Sequence, residues 1–276
     1  MHNRSLIPRR TFLGGLGAAA GAAMGPARAA VSSKVIDVHD HLHHHSVSTW
    51  REGDRLMIDA ADKLGIDQLC CSILPPERPA TPESFRQCNQ WLLEAMHRFP
   101  GRVLGYAFVN PGYTKEALDE IRRRVERDGF IGIKLYNDYF ASDPIFRPVV
   151  ELCIELRIPI LHHAGHPSWL PSPQPHISDG SHFSKLAAQY PEAMIICAHI
   201  AGGGDWEWEI KALRNAPTVY LDTSGSVIDE GVVEMATRIL GADRLLFACD
   251  MSLTASVGRM HAADISEADK AKIMSG

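Results

Sequence analysis

Between Val35 and His45 the chain reads Val35-Ile36-Asp37-Val38-His39-Asp40-His41-Leu42-His43-His44-His45, five histidines in seven positions. The run is internal and interrupted by Asp40 and Leu42, unlike a purification tag. His39 and His41 stand two apart on an extended segment, so both imidazoles face the same way. Two neutral imidazoles are a common start for a divalent-metal site. Asp40 points to the opposite side and reads as structural. His43, His44 and His45 follow where the strand must end, and read as loop residues dispensable for metal binding. Further along, Lys134, the pair His162 and His163, His199, Asp222 and Asp250 could join such a site. Each sits at or just after the end of a short apolar run.

Those runs are strand candidates, at 34–38, 66–73, 102–109, 130–136, 158–162, 193–198, 217–222 and 244–249. Helical patterns alternate with them near 54–64, 82–98, 114–127, 144–156, 182–189, 206–214 and 229–240, and an eighth begins near Ser266. The strands are mostly continuous apolar runs, as expected where both faces are covered. Eight strand-then-helix units predict a (β/α)8 TIM barrel, a fold of typically ~250 residues. The other candidate, an open doubly wound sheet, calls for a glycine-rich phosphate turn after its first strand, where this chain is histidine-rich. A barrel places chemistry at the C-terminal ends of its strands, and the candidate residues fall there.

The chain has 276 residues, with 28 Lys and Arg against 33 Asp and Glu. Residues 1–30 read as a twin-arginine signal peptide: Arg9-Arg10 precede a Gly/Ala-rich apolar run, and Ala27-Arg28-Ala29 offers a cleavage pattern. The apolar run from Thr11 to Met24 spans 14 residues, short of the ~20 needed to cross a bilayer. The expectation is export to the periplasm or beyond, with residues 31–276 forming the barrel domain. Residues 1–29 hold Arg4, Arg9, Arg10 and Arg28 and no acid, so the remainder has 24 basic residues against 33 acidic, a net −9. Such a chain suits neither nucleic acid nor an anionic membrane surface. The expected partner is a small-molecule substrate, with self-association left open. Most of the six cysteines lie in apolar runs and match no zinc or C-x-x-C pattern, so they read as buried thiols rather than disulfides.

Several stretches together resemble one family. Ile36-Asp37-Val38-His39-Asp40-His41 is similar to the opening motif of the amidohydrolase superfamily. Ile160-Leu161-His162-His163-Ala164-Gly165, Cys197-Ala198-His199-Ile200-Ala201-Gly202-Gly203-Gly204 and Arg244-Leu245-Leu246-Phe247-Ala248-Cys249-Asp250 resemble its decarboxylase-like branch, amidohydrolase family 2. Gly132-Ile133-Lys134-Leu135-Tyr136 and Val219-Tyr220-Leu221-Asp222-Thr223-Ser224 fit the same branch. The resemblance implies that His39, His41, His163 and Asp250 ligate one divalent ion, most often zinc. It places His199 beside the substrate oxygen or the water, and gives Asp250 a proton-handling role. His163 rather than His162 aligns, and adjacent strand residues face opposite sides, so only one of the pair reaches the metal. Lys134 stays open between bridging two metals, binding a substrate carboxylate, and lining the barrel paired with Asp222.

The leading expectation is a metal-dependent hydrolase of a small amide, lactone or ester, using a metal-activated water. The alternative is a metal-dependent decarboxylase of a small aromatic or unsaturated acid; a third is a periplasmic metal-binding protein. The segment from His166 to His176 is proline-rich and aromatic, which suits a lid or pocket wall and offers His166 as a substrate contact. Trp206 reads as the start of the sixth helix and a pocket-lining candidate. The chain stops close after the last helical pattern, whereas family members continue, so closure of the barrel is the least secure expectation.

Overall fold

In the computed structural model, residues 34–42, 50–166, 174, 176–200, 202, 204–226 and 229–275 are described. The signal-peptide segment, His43 to His45, and residues 167–173 and 175 of the proline-rich loop lie outside the described residues. Eight strands form one parallel sheet in sequential order. They are β1 (Ile36–His41), β2 (Gln68–Ser72), β3 (Val103–Phe108), β4 (Gly132–Leu135), β5 (Ile160–His162), β6 (Ile195–Cys197), β7 (Val219–Asp222) and β8 (Leu245–Leu246). The helices are α1 (Trp50–Leu64), α2 (Pro82–Arg98), α3 (Thr114–Asp128), α4 (Arg147–Leu156), α5 (Gly180–Gln189), α6 (Trp206–Ala212), α7 (Val232–Leu240), α8 (Leu253–Ala262) and α9 (Glu267–Met274). This is the expected (β/α)8 barrel. Among the described residues no helix is long and apolar enough to cross a membrane.

Local chemistry explains where elements start. Thr81 precedes α2 with a capping box, accepting from the Ser84 amide at 3.3 Å while the Ser84 hydroxyl accepts from the Thr81 amide at 2.9 Å. Asp179 caps α5 in the same way, accepting from Ser181 N at 2.9 Å. Two apolar layers then form. A large cluster packs the outer faces of the strands against the helices. A small one, Cys70, Tyr106, Leu161, Ile196 and Ala198 with Ile36, Tyr220 and Leu246 against it, comes from strands all round the ring and fills the interior.

One expectation is corrected here. The helix near Ser266 is the ninth, because α8 at Leu253–Ala262 comes first. Its segment, rich in Ser, Thr, Ala and Gly, carries too weak an apolar stripe to announce a helix. The barrel also closes. Val38 N donates to Phe247 O at 2.9 Å, and Asp250 N donates to His39 O at 2.8 Å, joining β1 to the segment after β8. All six cysteines are free and buried.

Candidate metal and active site

Inward and outward positions alternate along each strand, and this sorts the candidate residues. In β5, Leu161 belongs to the interior cluster and Ile160 to the outer one. His163 therefore turns inward and His162 outward. The His162 ring lies 5.4 Å from both Phe146 and Phe183, and its Nδ1 is 2.7 Å from the His163 carbonyl. Burial drives its pKa down to about 4. In β1 the register shifts between Asp37 and Asp40, a local irregularity that helps aim His39 and His41 at the barrel mouth. Past β6, His199 takes a left-handed φ of 70°, which breaks the alternation and swings its ring over the mouth. Asp250 does the same at φ 46° after β8.

His39, His41 and Asp250 present ligand atoms within 4.8 Å of one another, as do His39, His199 and Asp222. His39 Nε2 and His41 Nε2 lie 3.7 and 3.4 Å from Asp250 Oδ1. His163 stands one ring further out, with Nδ1 3.0 Å from His199 Nε2 and Nε2 2.9 Å from Gln174 Oε1. It does not share either cluster. Burial, first of all, holds His39, His41, His163 and His199 well below the ordinary histidine range, so all four are neutral. Lys134 adds to that effect at His39 and His41.

The tautomers of three of these rings follow from their outer partners. His39 Nδ1 lies 2.8 Å from Asp222 Oδ2, a carboxylate that only accepts, so Nδ1 carries the proton. His41 Nδ1 lies 3.3 Å from the Ser72 carbonyl and 2.9 Å from its Oγ, which again places the proton on Nδ1. Ser224 Oγ spends its proton on Asp222 Oδ1 at 2.6 Å, so His199 Nδ1 donates to Oγ at 2.8 Å. The Nε2 lone pairs of His39, His41 and His199 consequently point at the mouth. There His41 Nε2 meets an Asp250 oxygen, acceptor against acceptor, an arrangement that a cation between them relieves. Neutral imidazoles anchored from behind, with a carboxylate facing them, fit a divalent ion.

Lys134 is fully buried, and its Nζ lies 2.6 Å from His39 Nε2. Burial holds its pKa down to about 8. It thus reaches Asp222 only through the His39 ring rather than by direct pairing. Asp40 is structural as expected: Oδ1 accepts from His41 N and Met251 N, both at 2.8 Å.

A cavity of about 320 Å³ opens onto the cluster, lined by His41, His163, His199 and Asp250 together with Arg78 and Tyr136. The Arg78 guanidinium lies 3.4 Å over the Tyr136 ring, whose plane also stacks on His163 at 4.2 Å and 14°. Arg78 Nη1 is buried and has no hydrogen-bond partner among the described residues. Sequence reading missed Arg78 and Tyr136 as site residues, since only the β2 and β4 loops bring them to the mouth. His166 and Trp206, expected as substrate contacts, do not line this cavity. His166 Nδ1 is tied to Asp179 Oδ2 at 2.9 Å, and Trp206 Nε1 donates to Asp229 at 2.8 Å.

A barrel with histidines at the ends of strands 1, 5 and 6 and an aspartate after strand 8 defines a class. Residues 77–276 match the family model described as Amidohydrolase, and the chain belongs to that family. The matched segment starts after β2, so His39 and His41 stand on the site geometry and on the resemblance of the opening motif. Among curated proteins the chain is 27% identical over 272 residues to gamma-resorcylate decarboxylase of Polaromonas sp. (strain JS666), covering 77% of this chain and 82% of that one. Among solved structures it resembles 2,6-dihydroxybenzoate decarboxylase from Rhizobium, with a TM-score of 0.68, 21% identity, and 88% and 96% of the two chains covered. It also resembles dihydroxybenzoic acid decarboxylase from Polaromonas sp. JS666, solved with bound manganese and 2-nitroresorcinol. There the TM-score is 0.66 at 21% identity, over 88% and 94% of the chains.

Proposed function

We propose that this protein is a metal-dependent decarboxylase of a small hydroxylated aromatic acid. Arg78 carries the reading. A half-buried guanidinium with a buried, unpartnered nitrogen, laid on an aromatic wall, suits a flat anion. Hydrolysis of a neutral amide, lactone or ester, the leading expectation from sequence, gives that guanidinium no anion to pair with. The names of the curated relatives support the same choice. The cavity volume is at the small end of the usual ligand-site range, in keeping with a single ring.

Decarboxylation requires a proton at the ring carbon that bears the carboxylate. The C–C bond then breaks, CO2 leaves, and its electron pair returns to the ring. Arg78 orients the carboxylate, and Tyr136 sets the ring plane. Asp250 faces the cavity and is the group placed to hold and deliver the proton. His39, His41, His163 and Asp250 would hold one divalent ion, which supplies a Lewis-acid anchor for the ring's oxygen substituents. Three imidazoles and a carboxylate suit zinc, expected from the sequence, and equally manganese, found in a solved relative. We also take residues 1–30 as an export leader, which N-terminal sequencing of the exported protein checks.

The test offers metal-loaded protein 2,6-dihydroxybenzoate, 2-hydroxybenzoate, arylamides and lactones. CO2 release from a hydroxybenzoate is the expected result. Arg78→Met should raise KM roughly 10–100-fold, the worth of a charge-assisted hydrogen bond. Hydrolysis of an amide or lactone without any CO2 release would sink the proposal.

A further inference from the structure

We propose that Gln174 is a positioning residue that fixes His163 in the tautomer a metal ligand needs. This rests on the reading of His163 as a ligand. Stacking on Tyr136 sets the plane of the His163 ring but is indifferent to which nitrogen carries the proton. Gln174, from the loop after β5, breaks that degeneracy. Asn137, from the loop after β4, donates its amide to Gln174 Oε1 at 2.8 Å, so the oxygen end of Gln174 faces the ring. That oxygen, 2.9 Å from His163 Nε2, must accept the Nε2 proton. A neutral imidazole, the form that can ligate a metal, has one ring proton. Nδ1 is therefore left with its lone pair, 3.0 Å from His199 Nε2, whose lone pair also faces inward.

Two lone pairs held face to face attract a cation. With the Gln174 acceptor gone, His163 is free to take the Nδ1–H tautomer and donate to His199 Nε2. That internal hydrogen bond would consume both lone pairs, and a metal would have to break it. Histidine ligands are commonly fixed this way by an acceptor on the far nitrogen, and losing that acceptor typically costs about 10–100-fold in metal affinity. Gln174 gave no signal in the sequence, where it sits among prolines.

The experiment uses the full chain stripped with chelator, then titrated with Mn2+ or Zn2+ against a competing chelator. Gln174→Leu removes the acceptor at similar size and should weaken binding about 10–100-fold. Gln174→Glu keeps an acceptor and should restore it. Nitrogen NMR of the metal-free histidines supplies an independent readout: Nε2–H for His163 in the parent and Gln174→Glu, Nδ1–H in Gln174→Leu. Thermal melts of both variants control for folding. An unchanged tautomer together with unchanged affinity in Gln174→Leu overturns the proposal. If His163→Ala itself keeps the metal, the ligand reading falls, and the tautomer shift still judges Gln174 by itself.

Discussion

His162 and His163 are adjacent and chemically identical, yet the barrel gives them opposite surroundings. His162 lies in an aromatic slot between Phe146 and Phe183, and His163 faces His199 across the mouth. His162→Ala should therefore empty a packed site and lower stability by about 2–4 kcal/mol, at the scale of large-to-small core changes, while metal content holds. His163→Ala should leave the melting temperature near the parent value and weaken metal binding about 10–100-fold or more. Thermal melts with elemental analysis separate the two, and the reverse pattern would put the β5 register off by one. Part of this distinction was legible in the sequence: strand alternation lets only one of the pair face inward, and the family resemblance, which sets its histidine two residues before a glycine, selects His163. The residues behind the ligands were not. Ser72, Gln174 and Arg78 follow no spacing rule with respect to the histidines, and only the ring of strands brings them within reach.

At the scale of elements, α6 is pinned to β6 by a buried pair away from the mouth. Cys197 Sγ donates to Glu209 Oε1 at 2.8 Å, and burial pushes the Glu209 carboxyl up to about 8 from an ordinary 4.5. The folded chain holds a proton there that the unfolded chain releases above about pH 4.5. Stability from this group is thus complete at low pH and drains away as pH rises from about 4.5 to about 8. The slope is up to about 1.4 kcal/mol per pH unit. Glu209→Gln keeps a neutral acceptor for the thiol and removes the titration. Urea midpoints between pH 5 and 8 should show the variant gaining on the parent as pH rises, and parallel curves would refute the assignment. Long amphipathic helices such as α2 and α3 were legible to within a residue, because their apolar stripes repeat at 3.6. The sequence hid α8, whose small residues write no stripe, and the register shift in β1, where simple alternation from Ile36 would have turned His39 and His41 away from the interior.

Over the whole molecule, the seam between β1 and β8 carries both the closure of the barrel and the geometry of the site. Two buried carboxyls stitch it. Asp37 Oδ1 accepts from His39 N at 3.1 Å and Cys249 N at 3.0 Å, and Asp40 Oδ1 accepts from His41 N and Met251 N. Burial, first of all, raises both acids, Asp37 to about 7 and Asp40 well above the ordinary carboxyl range. Asp40→Asn keeps the Oδ1 acceptor for the His41 and Met251 amides, and should fold and keep its metal. Asp37→Ala strands two buried amides beside His39 and Asp250, at about 1–3 kcal/mol each, and should lose stability and metal together. The seam reaches as far as the last helix, because Phe247 N donates to Ile273 O at 3.0 Å and the Ile273 side chain is fully buried. Ile273→Ala should cost about 2–5 kcal/mol. Removing residues 267–275 should cost more, since Phe247, directly after the two-residue β8, loses its backbone acceptor along with its cover. Asp250 follows β8 by four residues, so the shortened chain should also bind metal more weakly even where it remains soluble. Melting curves and metal titrations of the two variants check this, and a shortened chain that melts and binds like the full one would show that the seam closes without α9.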